Sequence, residues 1–373
     1  MSLWRRYFWS GSSSGVYAID AVIGIEETHA SVGARDFCCS MGIVQDFEQG
    51  ADDLGRMTGV RVSAERLRQI TEAEGEAVSR VRQAGTLSPS WTAKAAKVDS
   101  SDRTRMYVGV DGVMARTVTQ AEKDKRRRQQ AIRRQQRGRN GVGNRRPLPA
   151  ARPGSDQVFK EFKIGLFYDQ SRAHVHAFAT HGDHVALGRL LRDHAEAIGW
   201  AEATEKVSLT DGAPWIRNQI LEHLQPIDAM LLDFYHLSEH VWSTARVCFG
   251  EGKAAECWVK TQLDGMQQTG PRSLLAAIDA LRKKLRGKGK LESLRLLRQY
   301  IVERWEMVDY REPLARGWHI GSGPTEAMCK NLTLRLKRPG MKWDADHAAG
   351  VMNLIALKES GQWAAYWQKR KTG

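Results

Sequence analysis

The pattern of apolar and polar positions divides the chain into a helical beginning, a run of short strands, a long helical stretch and one more helix. From Asp46, the segment DFEQGADDLGRMTGVRVSAERLRQITEAEGEAV carries apolar residues at helical spacing. The spacing breaks at Thr58-Gly59 and restarts after Ser63, whose hydroxyl suits the cap of a second helix. Such a pair reads as a helix-turn-helix, with Glu65, Arg66, Arg68 and Gln69 facing outward from the second helix, or as an ordinary helical hairpin. Residues 1–40 are poorly patterned, and residues 85–102, rich in Ser, Thr and Lys, read as a linker. RTRMYVGVDGV then alternates apolar and polar residues and stops at Asp-Gly, a strand followed by a turn. FKEFKIGLFYDQ and AHVHAFAT are two more strands, followed by a helix near 184–198 that presents Leu187, Leu190, Leu191 and Ile198. EKVSLTDGAP is another strand ending in Asp-Gly, and DAMLLDFYH is an apolar run suited to a strand covered on both faces.

The order strand, strand, strand, helix, strand, helix, strand belongs to the RNase H-like layout. The expected fold class is therefore α/β, a mixed five-stranded sheet with flanking helices. From about Ser238 to Leu314 the periodicity turns helical, with one stripe at Leu274, Ile278, Leu281 and Leu285 and another at Leu294, Leu297, Ile301 and Trp305. This stretch reads as an all-helical insertion. GSGPTEAMCKNLTLRLK follows, with Pro324 near the first turn of a helix and Glu326 in that turn. The expected organisation is a degenerate segment over 1–40, a helical DNA-binding region over 41–100, the first part of the core over 101–237, the insertion over 238–315 and the second part of the core over 316–373.

Charge sharpens the picture. With 57 Lys and Arg against 43 Asp and Glu, the chain carries +14 and attracts polyanions. Eleven basic residues and one acid fall between Lys123 and Arg146, inside a basic loop expected over 120–155. A block this charged reads as a solvated loop or a short exposed helix. Arg126, Arg127, Arg128, Arg133 and Arg134 are its candidate phosphate contacts. Lys337, Arg338 and Lys342 are further candidates, or else part of a solvated basic face. No apolar run approaches the roughly 20 residues of a spanning helix, and no secretory signal is evident, so the expected setting is cytoplasmic and nucleoid-associated. The five cysteines form no C-x-x-C pair and read as reduced thiols.

Phosphodiester chemistry at two hard cations needs carboxylates converging from separate elements. Asp111 and Asp211, each at the end of an apolar strand, lie 100 residues apart, and Glu326 follows on a helix. The first and fourth strands of an RNase H-like sheet are neighbours, which would set the two aspartates side by side. A single Asp-Gly is usually just a turn. The joint pattern says more.

The segments YVGVDG, SLTDGAPWI, LLDFYHLSEHVW and GSGPTEAMCKNLTLRLKRPGMKW resemble bacterial insertion-sequence transposases of the DDE class, in the Mutator-like group whose core is split by a helical insertion. The resemblance covers most of residues 40–360. It implies strand cleavage and strand transfer on double-stranded DNA, at element ends and target, with Asp111, Asp211 and Glu326 holding two Mg2+ ions, or Mn2+. It also implies a homodimer on DNA. The family's D-x-x-H signature is matched by Asp233 and His236, and His236 is either a catalytic assistant or a structural or DNA-contacting histidine. Trp242, Trp258 and Trp318 fall where relatives carry aromatics, as core packing or as stacking platforms. Where relatives often carry a short cysteine pair, this chain has Ser10 and Ser13, which do not replace thiolates on zinc. Two other functions stand beside transposition: a nuclease of this fold that only hydrolyses, and a DNA-binding derivative that does not cut.

Overall fold

The computed structural model describes residues 8–9, 15–16, 30–98, 102–139, 150 and 152–372. Five strands form the main sheet: β1 (Arg105–Arg116), β2 (Phe159–Asp169), β3 (Val175–Thr180), β4 (Glu205–Thr210) and β5 (Ala229–Leu232). Their order is β3-β2-β1-β4-β5. β2 runs antiparallel to both β1 and β3, whereas β4 runs parallel to β1 and β5. A separate two-residue ladder pairs Phe8–Trp9 with Gly15–Val16.

Helices cover both faces, which is why β4 is buried at every residue and reads as a continuous run. Three helices precede the sheet: α1 (Val32–Val44), α2 (Phe47–Thr58) and α3 (Ala64–Gln83). α4 (Gln120–Arg139) links β1 to β2, α5 (His184–Ile198) follows β3, and α6 (Pro214–His223) follows β4. After β5 come α7 (Phe234–Phe249), α8 (Lys253–Thr269), α9 (Pro271–Lys284), α10 (Lys288–Glu303) and the short α11 (Arg311–Ala315). The chain then returns to the sheet with α12 (Gly323–Leu334), α13 (Ala345–Glu359) and α14 (Trp363–Thr372).

The period-2 alternation of β1 sends Met106, Val108 and Val110 to one face and Tyr107 to the other. On the first face they meet Leu187, Leu191 and Ile198 of α5, each burial contributing about 1.5–3 kcal/mol. The other face packs against α1, α2, α3, α12, α13 and α14 in one continuous core. The helices from α7 to α10 enclose a third core of their own, around Val241, Val259, Leu274 and Leu297.

Several local expectations hold in detail. The Asp46 carboxylate accepts from Gln49 N at 2.9 Å to open α2, and Ser63 Oγ accepts from Arg66 N at 3.2 Å to open α3. Gly59 sits between them at φ 73°, the left-handed conformation that a glycine adopts without strain. α3 then lies flat on α13, so close that a Cβ on Gly75 would meet the Gly350 carbonyl carbon at 2.6 Å. Of the four residues expected to face outward, Glu65 and Gln69 are exposed and Arg66 and Arg68 half-buried. Arg68 is engaged by Glu65 and Glu72.

Other expectations are corrected. The poorly patterned segment already contains α1, whose Cys38 and Cys39 are buried. Residues 85–98 are not a solvated linker, because Trp91, Ala93 and Ala96 fill the core beside α5. The basic block takes the second of its two expected forms, an exposed helix, but a longer one than expected: its described residues lie within the 20-residue α4. Arg, Gln, Lys and Ala are all good helix formers, and the segment has no proline. Its first turn is anchored: Thr119 Oγ1 accepts from Glu122 N at 3.3 Å, and Lys123 pairs with Asp344 at 2.7 Å. Residues 140–149 of the basic block, and Ser10 and Ser13, lie outside the described residues. Among the described residues no helix is long and apolar enough to cross a membrane. Trp318 is buried, Trp242 and Trp258 pack against the helical core, and the five cysteines are unbridged.

Candidate active site

The parallel ladder between β1 and β4 pairs Arg105 with Glu205 through Val108 with Ser208, an offset of 100 residues throughout. Carried three residues further, the same register sets Asp111 level with Asp211, just past the last bridged pair. There the strands part. β1 continues to Arg116, while β4 ends and the chain turns at Gly212, φ 74°, with the Asp211 carboxylate accepting from Ala213 N at 2.9 Å. The parting opens a cavity of about 220 Å³ lined by Asp111, Asp211, Asp233, His236, Ser322, Thr325 and Glu326, among others.

Glu326 reaches the cavity because α12 crosses β1 at very short range. Thr325 sits directly over Gly109, where any Cβ would collide with it. A bare glycine two residues before Asp111 thus sets the separation between strand and helix. Asp233, at the end of β5, caps α7 by accepting from Tyr235 N at 2.6 Å and His236 N at 3.3 Å, and it also accepts from Ser322. This places His236 on the first turn of α7, half-buried, with Nδ1 3.8 Å from Glu239.

Burial pushes the Asp111 carboxyl above its usual range. The Gly112 amide at 2.7 Å and the Cys329 thiol oppose this, while the Asp211 and Glu161 charges add to it. Burial likewise pushes the Cys329 thiol up, with the Asp111 charge as a further cause. Among the described residues, none of Asp111, Asp211, Asp233 and Glu326 forms an ion pair with a lysine or arginine.

No protein-family model matches the chain, and no curated protein matches it. The site's chemistry therefore rests on its own side chains. Asp111, Asp211 and Glu326 each accept few hydrogen bonds and keep lone pairs toward the cavity, a donor set that fits hard cations. Among the described residues no three His, Cys, Asp or Glu side chains stand close enough to surround one metal ion. Mg2+ keeps several waters and takes few protein oxygens, so holding it would not require such a group.

The cationic candidates lie elsewhere. Arg126, Arg127, Arg128 and Arg133 are exposed on α4, and Arg134 is half-buried there. Lys337 is exposed just after α12. Arg338 instead donates to the Val44 carbonyl at 2.8 Å and faces Asp46 at 3.7 Å, and Lys342 pairs with Glu122, so both tie elements of the fold together. Ser322 and Thr325 were not among the residues expected from the sequence, where GSGPTE reads as the entry to a helix that carries Glu326. Serine four residues before a helix-borne Glu was the available signal.

Proposed function

We propose that this chain is a DDE-type DNA transposase with an RNase H-like core, cutting DNA and joining the cut end to a target. The observation that carries the reading is the convergence of Asp111, Asp211 and Glu326, from β1, the end of β4 and a helix, on one cavity whose described lining includes no lysine or arginine. The strand order, with β2 alone reversed, supports the RNase H-like core. The run of helices between β5 and α12 supports the reading of a helical insertion.

Asp111 and Asp211 would hold and orient from the sheet, and Glu326 from α12. Bound Mg2+, or Mn2+, would supply activation of the attacking oxygen and stabilisation of the leaving oxygen. His236 lines the edge of the cavity, where its ring can donate or accept a hydrogen bond. The arginines of α4 offer phosphate contacts whose affinity falls with salt. Double-stranded DNA, at element ends and target, is the proposed partner, with two copies needed to pair the ends.

The test is Mg2+-dependent cleavage and joining of end-bearing DNA, with Asp211→Asn as control. Cleavage by the wild type alone supports the reading, and cleavage without joining identifies a hydrolase of the same fold. The second reading is a DNA-binding protein that does not cut, favoured by the absence, among the described residues, of three His, Cys, Asp or Glu side chains close enough to surround one ion. DNA binding with no cleavage by either the wild type or Asp211→Asn would establish it.

A further inference from the structure

Asp233 lines the same cavity as the three proposed ligands, yet its surroundings set it apart. It is 2% exposed. Oδ1 accepts from the amides of Tyr235 and His236, and Oδ2 accepts from Ser322 N at 3.0 Å and from Ser322 Oγ. A carboxylate offers about four lone-pair sites, and here four donors take them. The backbone extends the connection. Asp233 N donates to the Thr210 carbonyl at 2.7 Å, next to Asp211, and Phe234 N donates to the Ile320 carbonyl at 2.9 Å. Ser322 in turn opens α12, with its hydroxyl 3.4 Å from Glu326 Oε1.

We propose that Asp233 is a positioning residue: acting through Ser322, it clasps the helix that carries Glu326 to the strand end that carries Asp211, and it does not itself bind a cation. The inference rests on the reading of the cavity as a divalent-cation site. Its physical need is plain from the chain. The inserted helices lie between Phe234 and Ile320, and without a bond across their base any movement of theirs would be transmitted to Glu326.

Asparagine separates the two jobs of the side chain. One carbonyl oxygen suffices to cap α7, and Asn is a favoured cap. Its Nδ2 would then face the Ser322 amide, donor against donor, so Asp233→Asn opens the clasp and spares the helix. Ser322→Ala removes only the hydroxyl, and Ser322→Thr restores it.

Two measurements on the full-length protein test this: Mn2+ binding followed by electron paramagnetic resonance, and amide hydrogen exchange over 319–327. Asp233→Asn should weaken Mn2+ binding about 10- to 100-fold and speed exchange over 319–327, with the global denaturation midpoint nearly unchanged. Ser322→Ala should move both readouts the same way by less, and Ser322→Thr should restore them. Unchanged affinity and exchange in Asp233→Asn overturn the proposal. So does complete loss of Mn2+ binding, equal to that of Asp211→Asn, with normal exchange and a silent Ser322→Ala, because Asp233 is then a ligand. If the wild type takes up no Mn2+, the cation-site reading fails on its own, and exchange over 319–327 alone decides whether the clasp exists.

Discussion

Replacing Gly109 by alanine tests whether the separation of β1 and α12 sets the site. The new Cβ would lie 2.9 Å from Thr325 Cβ and 3.0 Å from Thr325 Cγ2, with Oγ1 closer still. Rotation about χ1 can carry Oγ1 and Cγ2 away, but it leaves Cβ where it is. Reaching an ordinary 3.4 Å contact then requires α12 to retreat by about half an ångström. Overpacking of this kind costs about 1–3 kcal/mol, against a gain of about 0.5–1 kcal/mol from removing glycine from a strand, which leaves about 1 kcal/mol of destabilisation at the middle of the two ranges. Glu326, the next residue along α12, moves with the helix. A misplacement of about 1 Å can lower a rate about 100-fold, so a shift half that size predicts a loss of about tenfold in Mg2+-dependent cleavage. Urea denaturation and single-turnover cleavage, measured side by side, check both values. Adding Thr325→Ala should recover only part of each, because the Cβ remains. Wild-type stability and cleavage in Gly109→Ala, or full recovery in the double variant, would refute the reasoning.

Asp111→Asn should abolish cleavage while raising the stability of the metal-free protein at pH 7, by on the order of 1 kcal/mol in urea. Burial, with the Asp211 charge, raises the folded-state pKa of Asp111, so its contribution is full below the unfolded pKa and is lost as pH rises through the folded one. The stability difference between wild type and variant should accordingly shrink on acidification. Gly75→Ala should destabilise despite the helix propensity it gains, because it meets Gly350 backbone, whereas Gly55→Ala, with only the Val60 carbonyl at 3.9 Å, should stabilise by up to about 1 kcal/mol. His176 and His194 are buried 2.9 Å apart, and burial pushes His176 down to about 3. The unfolded state therefore takes the proton first, and stability should fall below pH 6.5 by roughly 1.4 kcal/mol per pH unit for each such histidine. His176→Gln should flatten that slope in acid titrations followed by circular dichroism. Neutralising Arg126, Arg127, Arg128 and Arg133 together should lower the salt slope of DNA binding by about 0.9 per lost phosphate contact, and an unchanged slope removes α4 from the interface.

Where one face of an element meets solvent, the sequence was legible. Asp46, Gly59 and Ser63 mark the ends of α2 and α3, and the Asp-Gly at 211 marks the end of β4, whereas the Asp-Gly at 111 proves to lie inside β1, which runs on to Arg116 because Gly112 stays paired with Lys163 of β2. Legibility failed where that contrast vanishes. α13 is buried at every position from Ala348 to Leu357, so it has no polar stripe to give it a period. α4 was legible only as one of two alternatives: it is polar nearly all round, and its charge masked residues of high helix propensity. In the site itself, the three acids could be picked out by type and spacing. Asp233 and Ser322 could not be given their roles, because a clasp between residues 89 positions apart exists only once β5 and α12 are brought together.

The burial of α13 bears on how this protein can be dissected. α3 lies along it with Gly75 against Gly350, and Arg335 reaches from the end of α12 to the Gly42 carbonyl at 2.9 Å. Whatever the leading helices recognise, they hold it at one fixed angle to the cavity, as a jaw cast in one piece with its handle. A fragment starting at β1 would strip the greasiest helix of its cover, and a minimal catalytic core cut at that point should clump rather than work.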